Sequence, residues 1–167
     1  MPLSTYQASI PMFISMLTNL GDFLKKAERY AEKRKIDKVI FVNARLSPDM
    51  YALDRQIQIA TDMVKKGAGR LSEKDWPTYE DNEKTFSELQ VRIKKTISFL
   101  KTIKAKDLDG AENKKIQFAI REHKFKFKGD AYLTEWIIPN FFFHITTAYN
   151  ILRNQGVNLG KSDFLGS

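Results

Sequence analysis

The segment Pro139-Asn140-Phe141-Phe142-Phe143-His144-Ile145-Thr146-Thr147-Ala148-Tyr149 sets a single imidazole into an otherwise apolar run. Imidazole is the side chain best suited to general-base work or metal ligation near neutral pH, because its unperturbed pKa is about 6.5. At about 100° per residue, Phe141, Ala148, Ile151 and Leu152 fall on the same side as His144, so the ring is expected to face inward. Burying it unpaired would cost on the order of 1 to 3 kcal/mol, so it requires a hydrogen-bond partner, a metal or a ligand. Helical projection puts Gln56 at the edge of another apolar stripe, near Ala60 and Met63, and the two side chains are expected to meet.

Other chemistry is sparse. The chain has no cysteine and only two histidines, which excludes disulfides, thiol chemistry and a His/Cys zinc site. It contains no glycine-rich phosphate loop, HExxH motif or nucleophile elbow. Thr146, Thr147, Tyr132 and Tyr149 supply hydroxyls, but none stands at a spacing that marks a nucleophile with its base. A metal would need carboxylates such as Asp49, Asp62 or Glu83 to turn inward, and projection places Asp62 on the outer face.

The formal charge of +8 comes from 28 basic residues spread along the chain. The densest cluster, Lys25 to Lys35, is interleaved with Glu28 and Glu32 at helical spacing and reads as a solvated helix face. Lys124-Phe125-Lys126-Phe127-Lys128 could neutralise phosphates and stack on bases, yet the same alternation describes any half-buried strand. Nucleic-acid binding therefore ranks third among the functional readings. No apolar run is long enough to span a bilayer, and the N-terminus lacks the basic start of a signal peptide, so a cytoplasmic protein is expected.

Four helical patterns must position these groups within a single domain over residues 1–167. The first runs from Thr5 or Ile10 to Arg34, with Asp37 to Val42 adding a turn. The second is expected to open with Ser47 as N-cap and Pro48 in the first turn, carry Met50, Leu53, Ile57, Ala60 and Val64 inward, and end near Gly67 and Gly69. The third carries Phe86, Leu89, Ile93, Ile97, Leu100 and Ile103. After a polar loop from Lys106 to Asn113, two short strands, Lys115 to Ile120 and Lys124 to Lys128, read as a hairpin turning through Arg121-Glu122-His123. The last helical region begins at Gly129-Asp130, is kinked or divided by Pro139 and ends near Gly156. The pattern is a mainly all-α, four-helix bundle with a two-stranded insert between its third and fourth helices.

With those elements placed, Asn43-Ala44-Arg45-Leu46-Ser47-Pro48-Asp49-Met50-Tyr51, Arg55-Gln56-Ile57-Gln58-Ile59-Ala60 and the Pro139 to Tyr149 segment together resemble a domain-of-unknown-function family of the DinB/YfiT-like metalloenzyme superfamily. The likeness reaches from the first helix to Gly156-Val157-Asn158-Leu159-Gly160-Lys161-Ser162-Asp163-Phe164-Leu165-Gly166, nearly the whole chain. It implies an up-and-down bundle, often a homodimer, whose metal-binding relatives use one His from the second helix and two spaced by four on the last. Here His144 fits one last-helix position, Ala148 stands four residues on, and the second helix offers Gln56 and Gln58.

The resulting expectation is a small-molecule pocket around His144, Gln56, Thr147, Tyr149 and Arg55, without the three-His metal site and with no cofactor. If a metal were held, His144 and Asp49 would be its ligands. The alternative is a metal-dependent hydrolase or thiol transferase with a non-standard site. Phe142, Tyr149 and Arg153 project away from His144, so the hairpin, the Phe164-Leu165 tail or a second subunit should cover them. Trp76 and Trp136 are expected to serve packing.

Overall fold

Pro11 stands in the first turn of helix α1 (Ile10–Arg34), where a missing N–H leaves no bond unmade. From there Phe13, Leu17, Leu20, Leu24, Ala27 and Ala31 form one buried stripe. The computed structural model describes residues 3–167. Helix α2 (Lys38–Val42) is capped by Asp37, whose carboxylate accepts the Val39 N–H at 3.0 Å, and it drops Phe41 and Val42 into the core.

Helix α3 (Leu53–Ser72) begins later and ends later than the sequence suggests. Ser47 is not its cap. The Met50 N–H donates to the Ser47 carbonyl at 3.0 Å and closes a turn, while Ser47 Oγ donates to Asp49 Oδ1 at 2.6 Å and so caps no helix. Ala52 is extended, and Met50 is only half-buried. At the other end the helix continues through both glycines to a left-handed Glu73. A Cβ on Gly67 would stand 2.6 Å from Ile137 Cδ1, and one on Gly69 would stand 2.3 Å from the Trp76 ring. These glycines serve close packing, not termination.

Helix α4 (Phe86–Thr102) opens with a capping box: Thr85 Oγ1 accepts the Glu88 N–H at 3.2 Å, and Glu88 Oε2 accepts the Thr85 N–H at 2.9 Å. The expected loop after it contains two short 3₁₀ turns, Ala105–Leu108 and Ala111–Asn113.

Strands β1 (Lys115–Ile120) and β2 (His123–Lys128) pair antiparallel, with Ile116 opposite Phe127 and Phe118 opposite Phe125. Ile120 pairs with His123, so the turn is two residues, with Arg121 at φ 53°, rather than three. One face of the hairpin lies on the bundle: the Phe118 ring centroid is 5.5 Å from that of Tyr132 and 5.6 Å from that of Trp136. That packing stabilises a pair of strands that would be marginal alone.

After α5 (Gly129–Ala131), residues Tyr132–Ile137 wind as a π-helix before α6 (Ile138–Asn154). Pro139 lies in the first turn of α6, and the widened register before it accommodates the ring and the missing donor. Helix α7 (Lys161–Leu165) packs back on α1, where Asn19 Nδ2 donates to the Phe164 carbonyl at 3.0 Å. The long helices close a ring in the order α1, α4, α3, α6, and Phe13 of α1 meets Phe141 of α6 edge-on at 5.2 Å where the ring closes.

Candidate functional site

Helices α3 and α6 form the most extensive interface of the bundle and bring Gln56 and His144 together. His144 Nδ1 lies 2.7 Å from Gln56 Oε1, while Gln56 Nε2 donates to the Tyr51 carbonyl at 3.0 Å. The carbonyl can only accept, so the amide NH₂ must face it and the amide oxygen must face the ring. Nδ1 therefore carries the hydrogen of the imidazole, and the lone pair is on Nε2. Nε2 makes no hydrogen bond among the described residues and is not sealed from solvent.

Burial, aided by the nearby Arg55 charge, pushes the His144 pKa down to about 4, so the ring is neutral at physiological pH. The ring is half-buried rather than fully enclosed, although its neighbours Phe141, Ala148, Ile151 and Leu152 are buried as their phase requires.

The other expected site residues separate. Arg55 stays beside the pair but donates to Gln58 Oε1 at 3.1 Å and pairs with Asp81. Thr147 is buried and its hydroxyl donates to the Phe143 carbonyl at 2.7 Å, back along its own helix. Tyr149 lies on another face, against Phe23 at 5.7 Å and Phe164 at 5.8 Å, so the C-terminal tail covers it. Asp49 is exposed and held by Ser47. Ala148 supplies no donor where a second last-helix imidazole would stand, and no three His, Asp or Glu groups among the described residues converge to hold a metal ion. The residues present do not fit the three-His centre.

Sequence reasoning missed a buried charge network and the half-burial of Asp62, which lines the outer side of α3 but is met there by a buried arginine. The Arg92 side chain is only 1% exposed. Its Nε donates to Thr61 Oγ1 at 2.7 Å, Nη1 to Glu83 Oε1 at 3.0 Å, and Nη2 to Asp62 Oδ1 at 2.9 Å. Asp62 also takes Lys65 at 2.8 Å and Lys66 at 2.6 Å. Burial opposes its ionisation, but the two lysines outweigh that and hold its carboxyl below the usual range. Lys65 is equally buried, its ammonium 3.5 Å from the centre of the Tyr79 ring, and burial draws its pKa down. The signal for Arg92 was present, since Leu89, Arg92 and Thr96 follow one another at helical spacing on the inward side of α4. The donors of Arg92 engage Glu83 and the Glu80 carbonyl, which pins the α3–α4 connection to the bundle.

The Lys124 to Lys128 strand turns Phe125 and Phe127 toward Trp136, at 4.6 and 5.7 Å, so these rings pack on the bundle rather than presenting a stacking surface. Between the outer side of α3, strand β1 and the π-helix runs a cleft of about 360 Å³. Arg55 stands at one end, and Trp76 and Trp136 line it as well as packing. No helix among the described residues is long and apolar enough to cross a membrane.

A ring of four long helices with a lone, partnered imidazole between α3 and α6 defines a DinB-like helical bundle. The chain belongs to the family described as a domain of unknown function, DUF1993, which matches residues 5–165. It is similar to the crystal structure of a DinB family member protein from Shewanella denitrificans, with 38% identity over 97% of this chain and 92% of that one and a TM-score of 0.92. No curated protein matches it.

Proposed function

We propose that this protein binds a small molecule at the α3–α6 interface, around His144 and Gln56 with Arg55 beside them, and that the three-His metal site of its superfamily is not retained. The observation that carries the reading is the fixed tautomer: Gln56 is anchored on the Tyr51 carbonyl and commits the ring hydrogen to Nδ1. A neutral imidazole with a free, reachable Nε2 is a preorganised acceptor for a ligand N–H or O–H. Phe143 is 58% exposed and Tyr51 55% exposed, so apolar surface flanks the pair. That surface also supports a homodimer, in keeping with a cytoplasmic protein.

A thermal-shift screen of a metabolite library tests the binding reading. At least one compound should raise the Tm of the wild type and leave His144→Leu unmoved; identical shifts in both proteins, or none in either, would refute it. Elemental analysis of protein purified without a histidine tag tests the metal statement, which fails if stoichiometric metal is found and is lost in His144→Ala.

A further inference from the structure

Arg70, on the last turns of α3, is the guanidinium of the cleft that no carboxylate among the described residues pairs with. Lys66 at the same wall is paired with Asp62, and Arg55 with Asp81. The Arg70 guanidinium carbon lies 4.6 Å from the centre of the Phe118 ring and 5.2 Å from that of Trp76, so its plane is held against aromatic surface. One of its N–H groups, on Nη1, donates to the Tyr132 hydroxyl at 3.0 Å. The remaining donors of the fork find no acceptor among the described residues.

Tyr132 is 1% exposed, and its hydroxyl accepts from Arg70 without donating to any described residue. Burial raises the phenol pKa against the pull of Arg70, which keeps the hydroxyl protonated and able to donate. A guanidinium fork and a phenolic O–H, both with hydrogens to spare, thus stand side by side at the wall of a cleft whose apolar lining includes Ile59, Met63, Trp76, Phe118 and Trp136 and whose carboxylate, Asp62, is already paired with Lys65, Lys66 and Arg92. A group that accepts several hydrogen bonds and donates none satisfies both. The π-helix that carries Tyr132 and Trp136 is what brings them to this wall, and such irregular turns recur at functional sites.

We infer that the cleft between α3, β1 and the π-helix is a binding site for a small organic acid with an aromatic or apolar body, its carboxylate held by Arg70 and Tyr132. The volume of about 360 Å³ and the mixture of aromatic walls with a few convergent polar groups are those of a small-molecule site. The Arg70–Tyr132 end of the cleft is separate from the His144 pair, since Gln56 and Arg70 are roughly 21 Å apart along α3 at about 1.5 Å per residue, although Arg55 at the other end of the cleft stands near that pair. Either site can fail without the other.

Both tryptophans of the chain line this cleft, so their fluorescence reports occupancy here. Titration with 3-phenylpropanoate should change the emission saturably. Its uncharged amide, 3-phenylpropanamide, should bind at least about tenfold more weakly, the loss expected when a charge-assisted pair is removed. Arg70→Met should weaken the acid by a similar factor, and Tyr132→Phe, which keeps the ring and removes only the donor, by a few-fold. Should Arg70→Met fail to fold by circular dichroism, Tyr132→Phe and the acid–amide comparison still decide. Equal binding of acid and amide, no saturable change up to about 10 mM, or calorimetric binding without a change in emission would overturn the proposal.

Discussion

His144 and Gln56 bond across the α3–α6 interface at 2.7 Å, and the second hydrogen bond of Gln56, to the Tyr51 carbonyl, decides which imidazole nitrogen carries the hydrogen. Replacing either partner leaves the other unpaired where water reaches it poorly. His144→Leu and Gln56→Leu should each lose about 1 to 3 kcal/mol, whereas the double variant should lose less than their sum, with a coupling of about 1 kcal/mol or more. Chemical denaturation of the four proteins measures this, and strictly additive losses would mean that the bond is not formed in solution.

Because the imidazole of the folded protein has its pKa pushed down to about 4, acid pH should act on it with a definite sign. Below about pH 6.5 the unfolded chain takes up a proton that the folded chain refuses, so this group favours unfolding increasingly as pH falls to about 4, and no further below that. For a half-buried ring screened in part by solvent, the expected loss is about 1 to 3 kcal/mol. The difference between the stability profiles of the wild type and His144→Leu over that window isolates it from the carboxylates, and parallel profiles would contradict it.

Arg92 and Tyr79 should respond in opposite ways. Arg92→Met removes the cation paired with Glu83 and one of the three cations around Asp62 while leaving both carboxylates packed in place, and should destabilise by about 3 to 5 kcal/mol. The Tyr79 hydroxyl is the one buried side-chain polar atom without a partner among the described residues, while its ring covers Lys65. Tyr79→Phe keeps the ring and sheds the orphan oxygen, so its denaturation midpoint should equal or exceed that of the wild type.

Gly69→Ala gives a further contrast. In an exposed helix the change would stabilise by about 1 kcal/mol. Here the new methyl would stand 2.3 Å from the Trp76 ring and 3.0 Å from the Lys74 carbonyl, so a lowered Tm is expected, accompanied by altered tryptophan fluorescence. An unchanged emission spectrum with raised stability would contradict the packing role.

Much of this fold is written in periodicity. The stripes of α1, α4 and α6, the extra turn from Asp37 to Val42, the hairpin and the break before Pro139 follow from local spacing and backbone chemistry, which a chain carries whatever it folds against. Even the meeting of Gln56 with His144 was legible, since each lies on the apolar side of its own helix and neither can be buried alone. The start of α3 was not, because Ser47 Oγ has two uses, a helix cap or a turn with Asp49, and the contacts of Ala52 and Leu53 with the bundle choose the turn. Gly67 and Gly69 have the composition of a helix end, and only the approach of Ile137 and Trp76 makes them contact points. The same holds for charge. Asp62 projects outward from α3 taken alone, but Arg92, itself held by Glu83 from the connection between the helices, reaches it from α4 and leaves it half-buried. A helix face that is polar in isolation becomes interior when opposite charges arrive from distant segments. Periodicity therefore fixes which way a side chain points, whereas tertiary contacts fix whether water is there to meet it.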